Sequence, residues 1–208
     1  VESWFPDAIR ADLLPNIIPL PIEENNLKGW WHKLSIFKED LYGLEGDLIF
    51  LDLDVVITED LSPLFDYEPG EFVIIRDLAD NGYNSSVFRL RVGSKAYVWD
   101  RFLESSEEVV AAMHGDQDWI TRQVNDAKIW PAEWVVSFKK QCNSRIRPSL
   151  GKLGIYLRKS GLFLPKDNAV LPDGAKIVQF HGKPDPEDVI HGTYGAYKAA
   201  PWIKDYWV

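Results

Sequence analysis

Two aspartates at the end of an apolar run are the residues best placed to do chemistry. Asp52-Leu53-Asp54 follows the apolar residues 48–51 and precedes a second apolar run at residues 55–57. An uninterrupted apolar run predicts the central strand of a largely parallel sheet, and such sheets bind ligands at the carboxyl ends of their strands. In an extended chain, residues two positions apart point to the same side, so both carboxylates could reach one cation or its phosphates. The alternative is a structural role, in which the aspartates cap a neighbouring turn.

A histidine and a lysine follow another predicted strand, residues 176–180. In this HGKP segment, His181 is a suitable third ligand to a divalent ion that carboxylates already hold, and Lys183 is a point charge suited to phosphate. Taken alone, a histidine and a glycine after a strand more often form a turn. Together with the two aspartates, they favour one shared site.

Two more polar segments and one lysine have a structural explanation when each is taken singly. The GDQD segment, residues 115–118, begins a predicted helix, where capping and the helix dipole favour acidic residues. The YNSS segment, residues 83–86, comes just before a predicted strand and could bind sugar hydroxyls or form an Asx turn. Lys33, within the WWHKL segment, would ordinarily be a solvated helix lysine.

The composition limits the classes of function. A chain of 208 residues, of which 46% are hydrophobic and 26% charged, fits one sizeable globular domain. Its net charge of -9, without a basic run, argues against nucleic acid as a partner. Cys142 is the only cysteine, so an intramolecular disulfide is impossible and a cytoplasmic location is expected. No apolar stretch is long enough for a membrane helix.

Hydrophobic spacing predicts strands that alternate with helices in a single domain, residues 1–208. Residues 139–173, broken by glycine and proline, are expected to form a lid or excursion, and residues 185–208 a C-terminal tail that packs back on the domain. The predicted helices are residues 27–42, 94–108 (capped by Ser94) and 116–127, with a helical turn at 61–65; the predicted strands are residues 16–20, 48–51, 72–76, 86–92, 134–138 and 176–180.

Five segments, in this order, resemble a known family. They are KL (residues 33–34), IFLDLDVVITEDLSPLF (49–65), NSSVFRL (84–90), GDQDWI (115–120) and FHGKP (180–184). This order resembles the glycogenin-like and bacterial polysaccharide-associated glycosyltransferases of the GT-A fold, over residues 27 to about 186. The resemblance implies an α/β, Rossmann-like fold with a mixed, mainly parallel central sheet flanked by helices.

The resemblance also implies a metal-dependent site for a nucleotide sugar. Asp52 and Asp54 would bind Mn²⁺ (or Mg²⁺) and the ribose-diphosphate, with His181 as the further metal ligand. Lys183 would contact the diphosphate, and Lys33 the donor. Because a nucleoside diphosphate leaves poorly while its charge is uncompensated, the cation would act as Lewis acid and template.

The same resemblance implies roles around the transferred sugar. Asn84 and Ser85 would hold the donor sugar, and Asp116 and Gln117 would stand near its anomeric carbon in catalytic roles. An oxocarbenium-like sugar needs a nearby oxygen lone pair or carboxyl dipole. The implied activity is transfer of a hexose, expected from a UDP-sugar, to a glycan or other hydroxyl acceptor, with retention of configuration.

Two features depart from the family pattern. A strand-helix-strand unit that binds the nucleotide base needs roughly 30 or more residues, and a proline-rich lead and a Trp-rich helix already account for the residues before the aspartates. Because the chain begins at Val1 and its only methionine is Met113, we expect such a unit upstream of Val1. In addition, Asp185-Pro186 stands where a tryptophan often follows in glycogenin-like chains.

Two other classes of protein stay open as alternatives. A haloacid-dehalogenase-type phosphohydrolase also has an apolar strand before Asp-x-Asp with Thr or Val two positions later, as in Asp52, Asp54 and Val56. Its later acidic motif, however, requires an acid where Ile120 stands. A non-catalytic protein that binds carbohydrate or nucleotide sugar could use some of the nine tryptophans as stacking platforms.

Overall fold

Short strands and helices alternate along the chain, which confirms the predicted α/β class. The computed structural model describes residue 20 and residues 27–77, 82–143 and 167–207. The strands are β1 (Asp47–Leu51), β2 (Val55–Ile57), β3 (Val73–Arg76), β4 (Tyr83–Arg91), β5 (Lys128–Ile129), β6 (Val135–Ser137) and β7 (Ile177–Gln179). The α-helices are α1 (Ser62–Asp66), α2 (Tyr97–Glu104), α3 (Ser106–Ala112), α4 (Asp116–Gln123) and α5 (Pro186–Ile190). Gly29–Phe37 and Pro201–Asp205 are 3-10 helices, and Phe138–Cys142 is a π-helical turn.

The described strands form two mixed sheets. The four-stranded sheet has the order β1-β4-β3-β5, with β4 antiparallel to both β1 and β3, and β5 parallel to β3. The three-stranded sheet has the order β2-β7-β6, with β7 antiparallel to β2 and parallel to β6. The two apolar runs that flank Asp52 and Asp54 therefore belong to different sheets.

The strand predicted at residues 48–51 exists as β1, but among the described strands it does not hold the predicted central position. β1 stands at one end of the four-strand order, pairs antiparallel with β4, and its side chains are half-buried. Leu48 and Phe50 pack against one buried cluster, whereas Ile49 and Leu51 pack against another. The run is apolar throughout because both faces meet core, and this pattern does not require a central strand.

β4 is longer than predicted. It begins at Tyr83, so the YNSS segment lies inside the strand rather than before it. Arg89, in the middle of this strand, has a fully buried side chain. Its guanidinium donates to the backbone oxygens of Leu64 (2.6 Å), Phe65 (2.8 Å) and Glu68 at the end of α1. A buried charge is tolerated there because these carbonyls replace water.

The helix predicted at residues 94–108 is two helices, α2 and α3. The chain breaks at Ser105, which has φ -146° and ψ 35°. Within α2, Val98 and Phe102 are buried, whereas Leu103 is 54% exposed. Ser94 is not the N-cap, since the residue before α2 is Ala96 and no side chain caps that end.

The helix predicted at residues 27–42 is the shorter 3-10 helix Gly29–Phe37, which buries Trp31, Leu34 and Phe37. α4 begins at Asp116 as predicted but ends at Gln123. Asp60 accepts hydrogen bonds from the backbone and hydroxyl of Ser62 at the start of α1, in agreement with the predicted helical turn.

The C-terminal residues pack against the three-stranded sheet. Val189 from α5 and Ile203 from the last 3-10 helix share a buried cluster with Val178 and Phe180, and Trp202 packs against the same cluster. The predicted edge strand at 16–20, except Leu20, and residues 144–166 of the predicted lid lie outside the described residues. None of the helices in the described ranges has the length and apolar character needed to cross a membrane.

Candidate active site

Lys33 joins two carboxylates that lie far apart in the sequence. Its Nζ is 2.7 Å from Asp52 Oδ1 and 3.6 Å from Asp116 Oδ2. It also donates to the hydroxyl of Ser85 at 3.2 Å, and this hydroxyl donates to Asp116 Oδ2 at 2.6 Å. Four predicted site residues therefore form one polar group, which we call the Lys33 cluster (Lys33, Asp52, Ser85 and Asp116).

Three elements position this cluster. Lys33 projects from a 3-10 helix whose apolar side chains are held in the core. Ser85 lies in β4, and the antiparallel pairing of β4 with β1 brings it beside Asp52, whose backbone N donates to Ser86 O at 2.9 Å. Asp116 is the first residue of α4. The residue before it, Gly115, packs against Trp30, because a Cβ at this position would lie 3.0 Å from the Trp30 indole nitrogen.

Asp52 and Asp54 lie in a turn between the two sheets, so the predicted extended conformation is wrong. Residues 52–54 have no strand structure, and Leu53 between them is 84% exposed. Asp52 is held to β4 by its backbone N, whereas Asp54 O accepts a 2.9 Å hydrogen bond from Phe180 N, just after β7. The turn thus keeps both carboxylates near each other and brings Asp54 next to the HGKP segment.

Burial and charge perturb both acidic positions. Burial, followed by the charge of Asp52, raises the pKa of Asp54 to about 6. Burial also raises the pKa of Asp116, while the Lys33 ammonium and the hydrogen bond from Ser85 act in the opposite direction. Three carboxylates (Asp52, Asp54 and Asp116) lie around Lys33, and such a cluster of negative charge is the electrostatic setting in which proteins bind cations.

His181 follows Phe180, whose backbone N donates to Asp54 O, and makes contacts of its own. Its Nε2 is 2.8 Å from the Ser137 hydroxyl, and Lys139 Nζ donates to its backbone oxygen at 2.5 Å. Burial first, and then Lys139 and Lys140, lower the pKa of His181. The imidazole is therefore neutral at neutral pH, which is the form that binds a metal ion.

The chemistry of these side chains fits a divalent cation. Two neighbouring carboxylates and a neutral imidazole are suitable ligands for Mn²⁺ or Mg²⁺. However, the described ranges contain no group of three or more His, Cys, Asp or Glu side chains arranged as a metal site. The metal set Asp52, Asp54 and His181 therefore stays a prediction.

Lys183 pairs with its own sequence neighbours and not with the Lys33 cluster. Its side chain is 56% exposed, and its Nζ is 2.6 Å from Asp185 and 3.0 Å from Asp188. Hydrogen bonds to these two carboxylates raise its pKa, so the ammonium stays charged. Its contact with a diphosphate stays a prediction.

The remaining predicted residues line a pocket beside the Lys33 cluster. Asn84 adjoins Ser85 in β4, and Gln117 adjoins Asp116 in α4, while His181 comes from the end of β7. The pocket has a volume of about 430 Å³. Among the predicted site residues, therefore, four form the cluster, three line the adjoining pocket, Asp54 lies between the sheets, and Lys183 lies outside.

Comparisons with known proteins find similarity in structure but not in sequence. No protein-family model and no curated protein matches the chain. The galactosyltransferase LgtC in complex with donor and acceptor sugar analogues has a TM-score of 0.48 and 18% identity, covering 85% of this chain and 65% of that one. The glycosyltransferase GlyE of Streptococcus pneumoniae TIGR4 has a TM-score of 0.49 and 15% identity, covering 80% of this chain and 40% of that one. An active-site mutant of LgtC has a TM-score of 0.49 and 16% identity, covering 90% and 69%.

The chain thus spans 65% of the length of the LgtC structure and 40% of that of GlyE. Because these identities and TM-scores are low, the similarities carry no functional argument, and the functional proposal rests on the site residues.

Three residues that sequence reasoning missed belong to the site. Ser137 contacts His181, Lys139 binds the His181 backbone, and Gln179 lines the pocket. Ser137 and Gln179 are register partners at the carboxyl ends of the parallel strands β6 and β7. The strand-end argument that selected His181 would have found Ser137 as well, whereas no sequence signal marks Lys139.

Proposed function

We propose that this protein is a metal-dependent glycosyltransferase that moves a hexose from a nucleotide-diphosphate sugar, a UDP-sugar, to a hydroxyl of a glycan. The observation that carries the proposal is the Lys33 cluster. The family resemblance assigned Lys33, Asp52, Ser85 and Asp116 to one donor site from four separate segments, and these four side chains contact one another. A structural role for each residue alone gives no reason for them to meet.

The donor diphosphate would lie over Asp52 and Asp54. These two carboxylates, with His181, would hold Mn²⁺ or Mg²⁺, which supplies Lewis-acid stabilisation of the departing diphosphate when bound. Lys33 lies 2.7 Å from Asp52 and holds this carboxylate in place. Lys183, which is exposed and charged, would turn from Asp185 and Asp188 to the phosphate oxygens.

The transferred sugar would lie between Asp116 and the adjoining pocket. Asp116 is only 5% exposed and is held by Lys33 and Ser85, so its carboxylate is oriented before a sugar binds. Asn84 and Gln117 line the pocket and supply amide groups for sugar hydroxyls. A carboxylate and an amide oxygen beside the anomeric carbon would stabilise positive charge as the glycosidic bond breaks.

Binding of the donor product tests the first half of the proposal. Isothermal titration with UDP should show binding that requires Mn²⁺, and Asp52→Asn should weaken it at least about tenfold, because one charged ligand is lost. Asp66→Asn, which changes an exposed aspartate at the end of α1, is the matched control and should bind as the wild type does. Binding of UDP that is unaffected by the metal would contradict the metal site.

Turnover separates the transferase from the two alternatives. The proposal expects slow, Mn²⁺-dependent hydrolysis of a UDP-hexose without acceptor and faster transfer with one, and no turnover of an aryl phosphate. Hydrolysis of the aryl phosphate with Mg²⁺ would favour the phosphohydrolase. Binding of UDP without any turnover would favour a non-catalytic nucleotide-sugar-binding protein. Proton NMR of the product tests retention, which inversion at the anomeric carbon would contradict.

A further inference from the structure

The pocket beside the Lys33 cluster has the size of a small-molecule site, and only its Asn84 and Gln117 are assigned to the donor hexose. Its volume of about 430 Å³ lies within the usual range for such sites, roughly 300–1,000 Å³. Part of its lining is apolar, from Ile129, Trp130 and Pro131, and the Trp130 indole is fixed by a hydrogen bond to Val87 O.

One buried amide oxygen in the lining has no hydrogen-bond partner among the described residues. Gln179 is only 6% exposed and lines the pocket. Its Oε1 accepts no hydrogen bond from any of the residues that the structure describes. An unsatisfied buried acceptor is costly, and rotation of this side chain toward the pocket would let a ligand hydroxyl satisfy it.

The charge of the lining differs in sign from that of the whole chain. Arg76 and Lys140 both line the pocket, and Asp77 is the one carboxylate that the described lining contains, in a chain of net charge -9. Lys140 is exposed and lines the pocket, so its ammonium is accessible to a ligand there. Lys139, which binds the His181 backbone, adds a further positive charge nearby.

These features together identify a class of ligand. We propose that the pocket binds the acceptor, and that this acceptor is an acidic sugar whose carboxylate or phosphate is bound by Lys140. The role of the ligand as acceptor depends on the proposed glycosyl transfer, whereas the preference for an acidic sugar depends on the pocket alone. Binding measurements with single sugars, made without donor or metal, therefore test it independently of catalysis.

The test compares acidic and neutral sugars of the same shape. Isothermal titration should show that methyl β-D-glucuronide binds at least about tenfold more tightly than methyl β-D-glucoside, since a charge-assisted hydrogen bond contributes about that factor. Glucose 6-phosphate and glucose give the same comparison for a phosphate. Whichever of glucuronide and glucose 6-phosphate binds more tightly shows whether the pocket prefers a carboxylate or a phosphate.

Two variants locate the effect. Lys140→Gln should weaken glucuronide binding about tenfold and leave the glucoside unchanged, because only the charged contact is lost. Lys204→Gln is the matched control, since Lys204 is an exposed lysine of the last 3-10 helix and does not line the pocket. Gln179→Leu should weaken both sugars alike, because it removes the acceptor for a shared hydroxyl.

Several outcomes would overturn the inference. They are equal affinity for acidic and neutral sugars, an equal loss for both in Lys140→Gln, and no binding of any of the four sugars. Weakened UDP binding in Lys140→Gln, with glucuronide unaffected, would assign these cations to the donor instead. If UDP binding and donor hydrolysis fail while the acidic sugar still binds through Lys140, the proposed transferase fails and the acidic-sugar site stands.

Discussion

The Lys33 ammonium lies 2.7 Å from Asp52 and 3.6 Å from Asp116, and so serves two carboxylates that come from different elements. All three side chains are largely shielded from water, with side-chain exposures of 11%, 26% and 7%. In such surroundings the Lys33 ammonium offsets part of the cost of burying two carboxylates. Its removal should therefore affect both stability and activity.

Replacing Lys33 with methionine should destabilise the protein and abolish most turnover. The variant leaves Asp116 buried without its cation, which should lower the free energy of unfolding by about 2 kcal/mol. Donor hydrolysis should fall by about 10²-fold in kcat/KM, because an oriented charged contact is lost. Urea unfolding and UDP-hexose hydrolysis measure the two effects.

Lys28→Met is the matched control for this change. Lys28 is an exposed lysine that directly precedes the same 3-10 helix. It should unfold and turn over as the wild type does. Lys33→Met with unchanged hydrolysis would show that the Lys33 cluster is structural.

Asp54 should make the metal-free protein less stable as pH rises. Its pKa is raised from 3.8 to about 6 in the folded protein. The folded state therefore binds more protons between these values, so the stabilisation is complete below about pH 4 and is lost as pH rises through about 6. Because the residue is partly exposed, we expect about 1 kcal/mol after screening by solvent.

The comparison between wild type and Asp54→Asn isolates this effect. Urea unfolding of both proteins at pH 4, 5, 6 and 7, without metal, gives the difference in unfolding free energy at each pH. The wild type should lose stability relative to the variant across this range. A difference that stays constant with pH would contradict the raised pKa.

Arg89 should be among the most sensitive positions for stability. Its side chain is fully buried and donates to the carbonyls of Leu64, Phe65 and Glu68. Arg89→Met should lower the unfolding free energy by about 3 kcal/mol, because it leaves these carbonyls without a donor. Arg91 lies two residues further along the same strand and is exposed. Arg91→Met should change the unfolding free energy by less than about 0.5 kcal/mol. Equal effects of the two variants in urea unfolding would contradict this role.

Cys142 should be inert in the folded protein. Burial raises the pKa of its thiol to about 12, so at pH 8 its thiolate fraction is about 10³-fold below that of an ordinary thiol. Labelling with a disulfide reagent should therefore be slow in buffer and rapid in urea, and the Cys142→Ser variant should give no signal. Rapid labelling of the folded protein would contradict the burial of this thiol.

Sequence patterns located most of the elements that carry the site. The strands around Asp52 and before His181, and the helix that begins at Asp116, lie where hydrophobic spacing predicted them. Such patterns are local, because side-chain periodicity follows the geometry of a single strand or helix. The split of the helix at Ser105 was not visible, since one unfavourable backbone conformation leaves no periodic signal.

The pairing of strands was decided by tertiary structure. An apolar run predicted β1 as central, yet it stands at one end of the four described strands of its sheet; two separate clusters cover its faces, and this explains why the run is apolar throughout. The buried charge of Arg89 likewise depends on carbonyls at the end of α1, which a sequence pattern along β4 does not contain.

The sequence by itself determined which residues could do chemistry, since carboxylates, lysine and histidine at element ends are readable from residue type and order. Only the tertiary structure decided which of them meet. Lys33, Asp52, Ser85 and Asp116 contact one another because β1 pairs with β4 and two helices pack beside them. Lys183 instead pairs with its own neighbours, because α5 places Asp185 and Asp188 within its reach. Contacts between distant segments depend on packing of the whole core, and no local pattern encodes them.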